Sequence, residues 1–122
     1  MGEDSGVVKR VDEVAARPVP AGRATEMQVL LGPADGSTGF VVRRFVMGEG
    51  GGMPRHANAV EHGQYVLRGR ARVSIGDRVH EVGPGSVLFI PSGAVHHYEV
   101  VEAPFEFLCV VPNRPDEVVL ES

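Results

Sequence analysis

Three histidines and one asparagine are the residues of this 122-residue chain best suited to chemistry. His56, Asn58 and His62 lie within residues 50–69, GGGMPRHANAVEHGQYVLRG, and His96 lies within residues 85–97, GSVLFIPSGAVHH. Imidazole nitrogen ligates Mn, Fe, Ni, Cu and Zn, with geometry and availability deciding among them. A carboxamide oxygen is a weaker, neutral donor, and water can take its place. Side chains of a strand alternate between faces. His56, Asn58, His62 and Gln64 all carry even numbers, so an extended run turns all four the same way. A turn within residues 57–61 can reset that parity. His96 can complete the set from a neighbouring strand. The expectation is one divalent transition metal held by His56, Asn58, His62 and His96. Three imidazoles already suffice as a metal-binding face and leave positions open for water or substrate. The competing reading is a scaffold that has lost its metal, for which Asn58 is the best argument.

Other side chains fall into place around this set. Tyr98 follows His96 by two and shares its side of the strand; it can donate to a metal-bound oxygen species or simply fill the interior. Gln64 is open to the same two readings. His97 should point away from His96, His80 should be exposed, and Glu61 reads as a solvated or outer carboxylate rather than a ligand. Phe105, Phe107, Cys109 and Val111 share one face of a strand. A buried thiol is usually a small apolar filler; facing a cavity, Cys109 becomes an oxidation target or substrate contact. Arg43 or Arg44 must point inward if its strand crosses the interior. An inward arginine binds a carboxylate or enolate in bidentate fashion; the alternative is a salt bridge at the rim.

The elements that must position these groups are strands. Apolar runs at residues 26–31, 40–47, 62–67, 70–75, 78–82, 87–90, 95–101 and 105–111 are separated by turn signals. Gly76-Asp77 is a two-residue hairpin signal. The glycines at 48 and 50–52 read as a turn feeding the ligand strand; no Gly-Lys-Ser/Thr follows, so a phosphate cradle is set aside. Val7, Val8 and Val11 suit a short strand, and Pro18 and Pro20 argue against a helix in the segment that follows. No convincing amphipathic helix is present. Short, evenly spaced strands argue for an all-β sandwich or barrel. The division expected is an arm at 1–25, one barrel at 26–115 and a loosely packed acidic tail at 116–122.

The length allows one domain with a core of its own, and 43% hydrophobic residues fit a globular chain. A net charge of −4 argues against nucleic acid as a partner. Cys109 is alone, so there is no internal disulfide framework. No apolar run approaches the roughly 20 residues needed to span a bilayer, and residues 1–10 lack the apolar core of a signal peptide. The default expectation is a cytoplasmic protein with no membrane partner.

The two histidine-bearing pieces resemble the two cupin motifs. Gly50, His56, Asn58, His62 and Gly69 stand at the spacings of the first, with Asn58 in place of the usual second histidine and His62 in place of the usual glutamate. Gly85, Pro91, Gly93 and His96 match the second, and Val100 replaces its final asparagine. The histidine in the glutamate position, with the words RHANAVEHGQYVLRG and FEFLCVVP, is similar to small bacterial cupins whose metal, often described as manganese, is held by four histidines. The resemblance implies a double-stranded β-helix, a jelly-roll-like barrel, and a homodimer. It places Phe107, Cys109 and Val111 along the pocket, which Gln64 joins by its even number, and favours Arg43 as the inward arginine. It implies a metal-dependent oxidoreductase, a dioxygenase cleaving a small, partly aromatic or enolic substrate. The alternatives are a non-redox isomerase, lyase or decarboxylase, and a non-catalytic module that binds or senses a small molecule.

Overall fold

The computed structural model describes residues 6–121. The described residues form eight strands: β1 (Arg17–Pro18), β2 (Arg23–Leu31), β3 (Phe40–Asn58), β4 (His62–Ile75), β5 (Arg78–Val82), β6 (Val87–Ile90), β7 (His96–Pro112) and β8 (Val118–Leu120). All pairings are antiparallel, in the order β1-β2-β3-β7-β4-β5, with β6 on β4 and β8 on β3. Two short 3₁₀ turns, Val11–Glu13 and Pro33–Asp35, are the helical elements among the described residues. Among the described residues, no helix is long and apolar enough to cross a membrane.

β7 is the spine. It pairs along nearly its whole length with β3 on one side and β4 on the other. Burial alternates along β4, with His62, Gln64 and Val66 inside and Gly63, Tyr65 and Leu67 outside. That period of two produces an apolar interior built from both halves of the long strands. Its centre is a run of aromatic rings. Phe45 stacks on Phe107 (5.1 Å, 12°), and Phe107 stacks on Tyr98 (5.4 Å, 9°).

Three long strands replace pairs expected as separate elements. β3 continues through the glycine run instead of turning there. The register against β7 slips between Met47 and Gly52, so these residues form a bulge that bends the strand while it keeps its partner. Gly52 has φ +155°, and a Cβ there would run into the carbonyl of Tyr98. β4 likewise joins the runs expected at 62–67 and 70–75, with irregular register around Gly69. Gly69 has φ +75°, and a side chain there would strike the Pro104 and Glu102 carbonyls. β7 joins the runs expected at 95–101 and 105–111.

The ends also differ from expectation. Val7 and Val8 form no strand, and Val11 begins a 3₁₀ turn. Gln28, buried on β2, fastens that arm: its Nε2 donates to the carbonyls of Val11 (2.9 Å) and Val14 (2.8 Å). Arg44 Nη1 in turn donates to Gln28 Oε1 (2.6 Å) and Arg44 Nε to Glu106 (2.7 Å). The C-terminal segment, expected to pack loosely, adds β8 alongside β3, opposite His56, Ala57 and Asn58. The sequence offers no signal for this, because three exposed apolar residues, Val118 to Leu120, are held by main-chain pairing to a distant strand.

Candidate metal and substrate site

The inward faces of β3, β4 and β7 enclose a cavity of about 140 Å³. His56, Asn58, His62, Gln64, Arg43, Phe107 and Cys109 all line it. His96 is buried at 1% exposure and is not itself a lining residue. It is the cross-strand partner of His56, and their ring centroids are 4.1 Å apart; His62 meets the His96 ring edge-on at 5.8 Å.

Two of the rings are held by their own strands. His56 Nδ1 lies 2.7 Å from the Pro54 carbonyl and His96 Nδ1 lies 2.9 Å from the Ala94 carbonyl. A carbonyl only accepts, so each Nδ1 carries a proton, and in the neutral ring that leaves the lone pair on Nε2. Both nitrogens of His62 are buried without a partner, and so is Oδ1 of Asn58. Burial, then the nearby Arg43 charge, then His96, lowers the His62 pKa to about 4. Burial also lowers His96 to about 4. Both rings are therefore neutral at pH 7, the form in which imidazole ligates metals.

These donors suit a divalent transition metal. Two lone pairs with fixed tautomers, a ring with no other partner and an unsatisfied amide oxygen are what such an ion would satisfy. Among the described residues, no three His, Cys, Asp or Glu side chains close around a single point. The imidazoles stand as neighbours, and the fourth donor is an amide.

Asp116 was not foreseen. It reaches the cavity mouth from the segment before β8, where its Oδ2 accepts from Asn58 Nδ2 (2.9 Å) and its Oδ1 accepts from the N–H groups of Ala59 (2.8 Å) and Val60 (3.2 Å). Burial pushes its pKa up, but the bonds from Asn58 and from the Val60, Ala59 and Glu117 N–H groups outweigh this and lower it overall. The remaining wall is apolar: Val19, Met27, Phe45, Met47, Met53 and Val118.

Arg43 is the inward arginine. Its guanidinium lies over the Phe45 ring at 5.2 Å, Nη2 reaches Cys109 Sγ at 3.5 Å, and Nε is buried without a partner. Arg44 faces the other way, into its bonds with Glu106 and Gln28. Tyr98 is buried but does not line the cavity. Its hydroxyl pairs with the Gln64 carboxamide at 2.7–2.9 Å, and burial raises its pKa. Cys109 is fully buried, with Gln64 Nε2 at 3.7 Å as well as Arg43. Val111 is a core residue away from the cavity lining. Glu61 and His80 are exposed, and His97 is half-buried beside Ser74.

A family profile described as Cupin domain matches residues 43–111, more than half of the chain. The chain belongs to the cupin family. This cupin is similar to the polyketide cyclase RemF from Streptomyces resistomycificus, at 34% identity over 95% of this chain and 88% of that one, with a TM-score of 0.82. It is also similar to Rru_A2000 from Rhodospirillum rubrum, a cupin-2 domain, at 25% identity over 96% and 81% of the two chains, TM-score 0.83. A predicted oxalate decarboxylase from Thermotoga maritima shares the fold at 22% identity over 94% and 100%, TM-score 0.74. A search of curated proteins gave no significant match. The jelly-roll-like barrel expected from the motifs is therefore the fold, in a small single-domain cupin.

Proposed function

We propose that this cupin is a metal-dependent enzyme that cyclises a small, enolisable polycarbonyl compound without net oxidation. The observation that carries this reading is the unsatisfied donor set: His56, the neutral and unpartnered His62 and the orphaned oxygen of Asn58 share one cavity with Arg43, and the neutral His96 ring packs against those of His56 and His62. Likeness to a polyketide cyclase over nearly the whole chain supports the substrate class. His56, His62 and His96, with Asn58 as the weakest donor, would hold the ion. A divalent ion there supplies Lewis acidity, drawing electron density from a carbonyl oxygen.

The chain's own residues do the rest. Arg43 Nε, buried and unpaired, donates to an enolate or carboxylate oxygen and holds the negative charge that develops on enolisation. Gln64 and Cys109 keep the guanidinium and the neighbouring polar groups fixed. Phe45, Phe107 and the methionines form an apolar wall that excludes water and packs the carbon skeleton. A cavity of about 140 Å³ accepts about one six-membered ring, since a comparable apolar cavity holds benzene. A longer chain therefore extends outward past Val19 and Val118. Carbon–carbon bond formation between an enolate carbon and a second carbonyl carbon, followed by loss of water, needs no oxidant.

His62 at the usual glutamate position favours a second reading, oxygen-dependent cleavage of an enolic double bond. One experiment separates the two. Protein loaded with Zn²⁺, Mn²⁺ or Fe²⁺ is incubated with a 1,3,5-triketone, with and without air, and the products are weighed by mass spectrometry. Loss of water under strict anaerobiosis supports cyclisation. Gain of two oxygen atoms, only with air and a redox-active metal, supports cleavage. Saturable binding with no turnover under any condition overturns both and leaves a binding module.

The homodimer also belongs to this proposal. Tyr65, Leu67, Val87, Phe89 and Val110 are exposed on one outer face of β4, β6 and β7, and Tyr65 is the direct partner of Val87. An apolar face of this kind suits a second copy of the chain. Sedimentation at micromolar concentration should give the mass of two chains; a single-chain mass removes the dimer.

A further inference from the structure

Asn58 differs in kind from the other donors. A neutral imidazole whose Nδ1–H is engaged always offers a lone pair from Nε2. A carboxamide has an acceptor end and a donor end of nearly the same shape. An asparagine can serve beside three imidazoles only if something selects which end faces them.

One group is placed to make that selection. Asn58 Nδ2 donates to Asp116 Oδ2 at 2.9 Å, which leaves Oδ1 as the buried, unpartnered end. Turning the amide over would set its oxygen against a carboxylate oxygen, two acceptors with no proton between them. Asp116 is itself held. Its other oxygen takes the N–H groups of Ala59 and Val60, and β8 next to it pairs Val118 with Asn58 and Leu120 with His56.

We propose that Asp116 is a positioning residue that holds the Asn58 carboxamide with its oxygen towards the histidines. It lets an amide stand where the family pattern carries an imidazole. Its role at the metal rests on the preceding reading of the site. The orientation itself does not, and the two parts are tested separately.

The first measurement uses metal-free protein. By NMR, the Asn58 side-chain amide protons should exchange with solvent at least tenfold more slowly than those of exposed Asn113, and Asp116→Ala should abolish the difference. Equal exchange at Asn58 and Asn113 in the unmodified protein overturns the proposal, whatever the protein does with metals. The second is competition for Zn²⁺ against a chelator. Asp116→Asn should weaken binding about 10–100-fold, as loss of a ligand's supporting partner typically does. In an Asn58→Ala background the same change should have no further effect, because Asp116 acts through Asn58. An equal loss in both backgrounds, or a lower melting temperature with unchanged metal affinity, shows a structural role only and overturns the positioning role. Failure of the unmodified protein to bind Zn²⁺, Mn²⁺ or Fe²⁺ refutes the metal reading and this role at the metal, while the exchange result still decides the orientation.

Discussion

His56 and His96 face each other across the β3–β7 ladder, with ring planes tilted by 50°. Each gives its Nδ1 proton to the carbonyl two residues earlier on its own strand. The paired arrangement makes His96 the residue whose removal should tell most. His96→Ala should abolish retention of metal after dialysis against a chelator while far-ultraviolet circular dichroism stays β-like. Elemental analysis of protein made without an affinity tag checks this. Metal content equal to that of the unmodified protein counts against the site.

Asn58→His should tighten metal binding by about tenfold or more, because imidazole is the better ligand for late first-row ions. Chelator competition measures it. An unchanged affinity would mean that residue 58 does not reach the ion.

The metal-free protein should weaken as pH falls. His62 and His96 take up protons near pH 4 in the native state, chiefly because they are buried, but near pH 6.5 once unfolded. Between these values the unfolded chain binds more protons. Stability is therefore whole above about pH 6.5 and is lost as pH drops towards 4. The loss should be on the order of 2 kcal/mol for one such histidine at pH 4.5. Urea midpoints at pH 7.5 and 4.5 measure it, and a flat profile contradicts neutral burial of these rings.

Arg43→Met should separate recognition from stability. The buried Nε has no partner to lose, methionine keeps an apolar contact with Phe45, and the Nη2–Cys109 Sγ contact is weak, so the melting temperature should move little. Binding of an enolate or carboxylate probe should fall about 10–100-fold, the value of a charged hydrogen bond. Calorimetric titration decides; unchanged affinity would place the anion elsewhere.

Gly69→Ala should cost more than about 3 kcal/mol, since it combines a left-handed backbone with collision against main-chain oxygens. Gly63→Ala on the same strand is the control. A Cβ there meets nothing within 4 Å, and the change should stay within about 1 kcal/mol. Similar urea midpoints for the two variants would refute the close packing of β4 on β7 at Pro104.

Much of the cavity is legible in the chain because it follows from local rules. Even numbering puts His56, Asn58, His62 and Gln64 on inward faces, and the turn between β3 and β4 preserves that parity. The pleat also demands that one of Arg43 and Arg44 turn inward, and the cupin resemblance favours Arg43. Other parts depend on chain segments far apart in sequence. Asp116 and Val118 arrive by pairing of β8 with β3, and Val19 and Met27 by the fold of the first two strands. Neither has a short-range signal. Glycine carries two meanings for a related reason. At 51, 52 and 69 it permits close approach to another strand, a tertiary demand that in sequence looks the same as a turn. Val111 keeps the expected face of β7 but lies too far along it to reach the cavity.

The acceptors that orient His56 and His96 are peptide oxygens, at Pro54 and Ala94. No side-chain substitution removes them. The walls of methionine, valine and phenylalanine can therefore be substituted while the imidazoles keep their orientation. A scaffold built this way separates the histidine cluster from the apolar wall around it, so selection can exchange one without rebuilding the other.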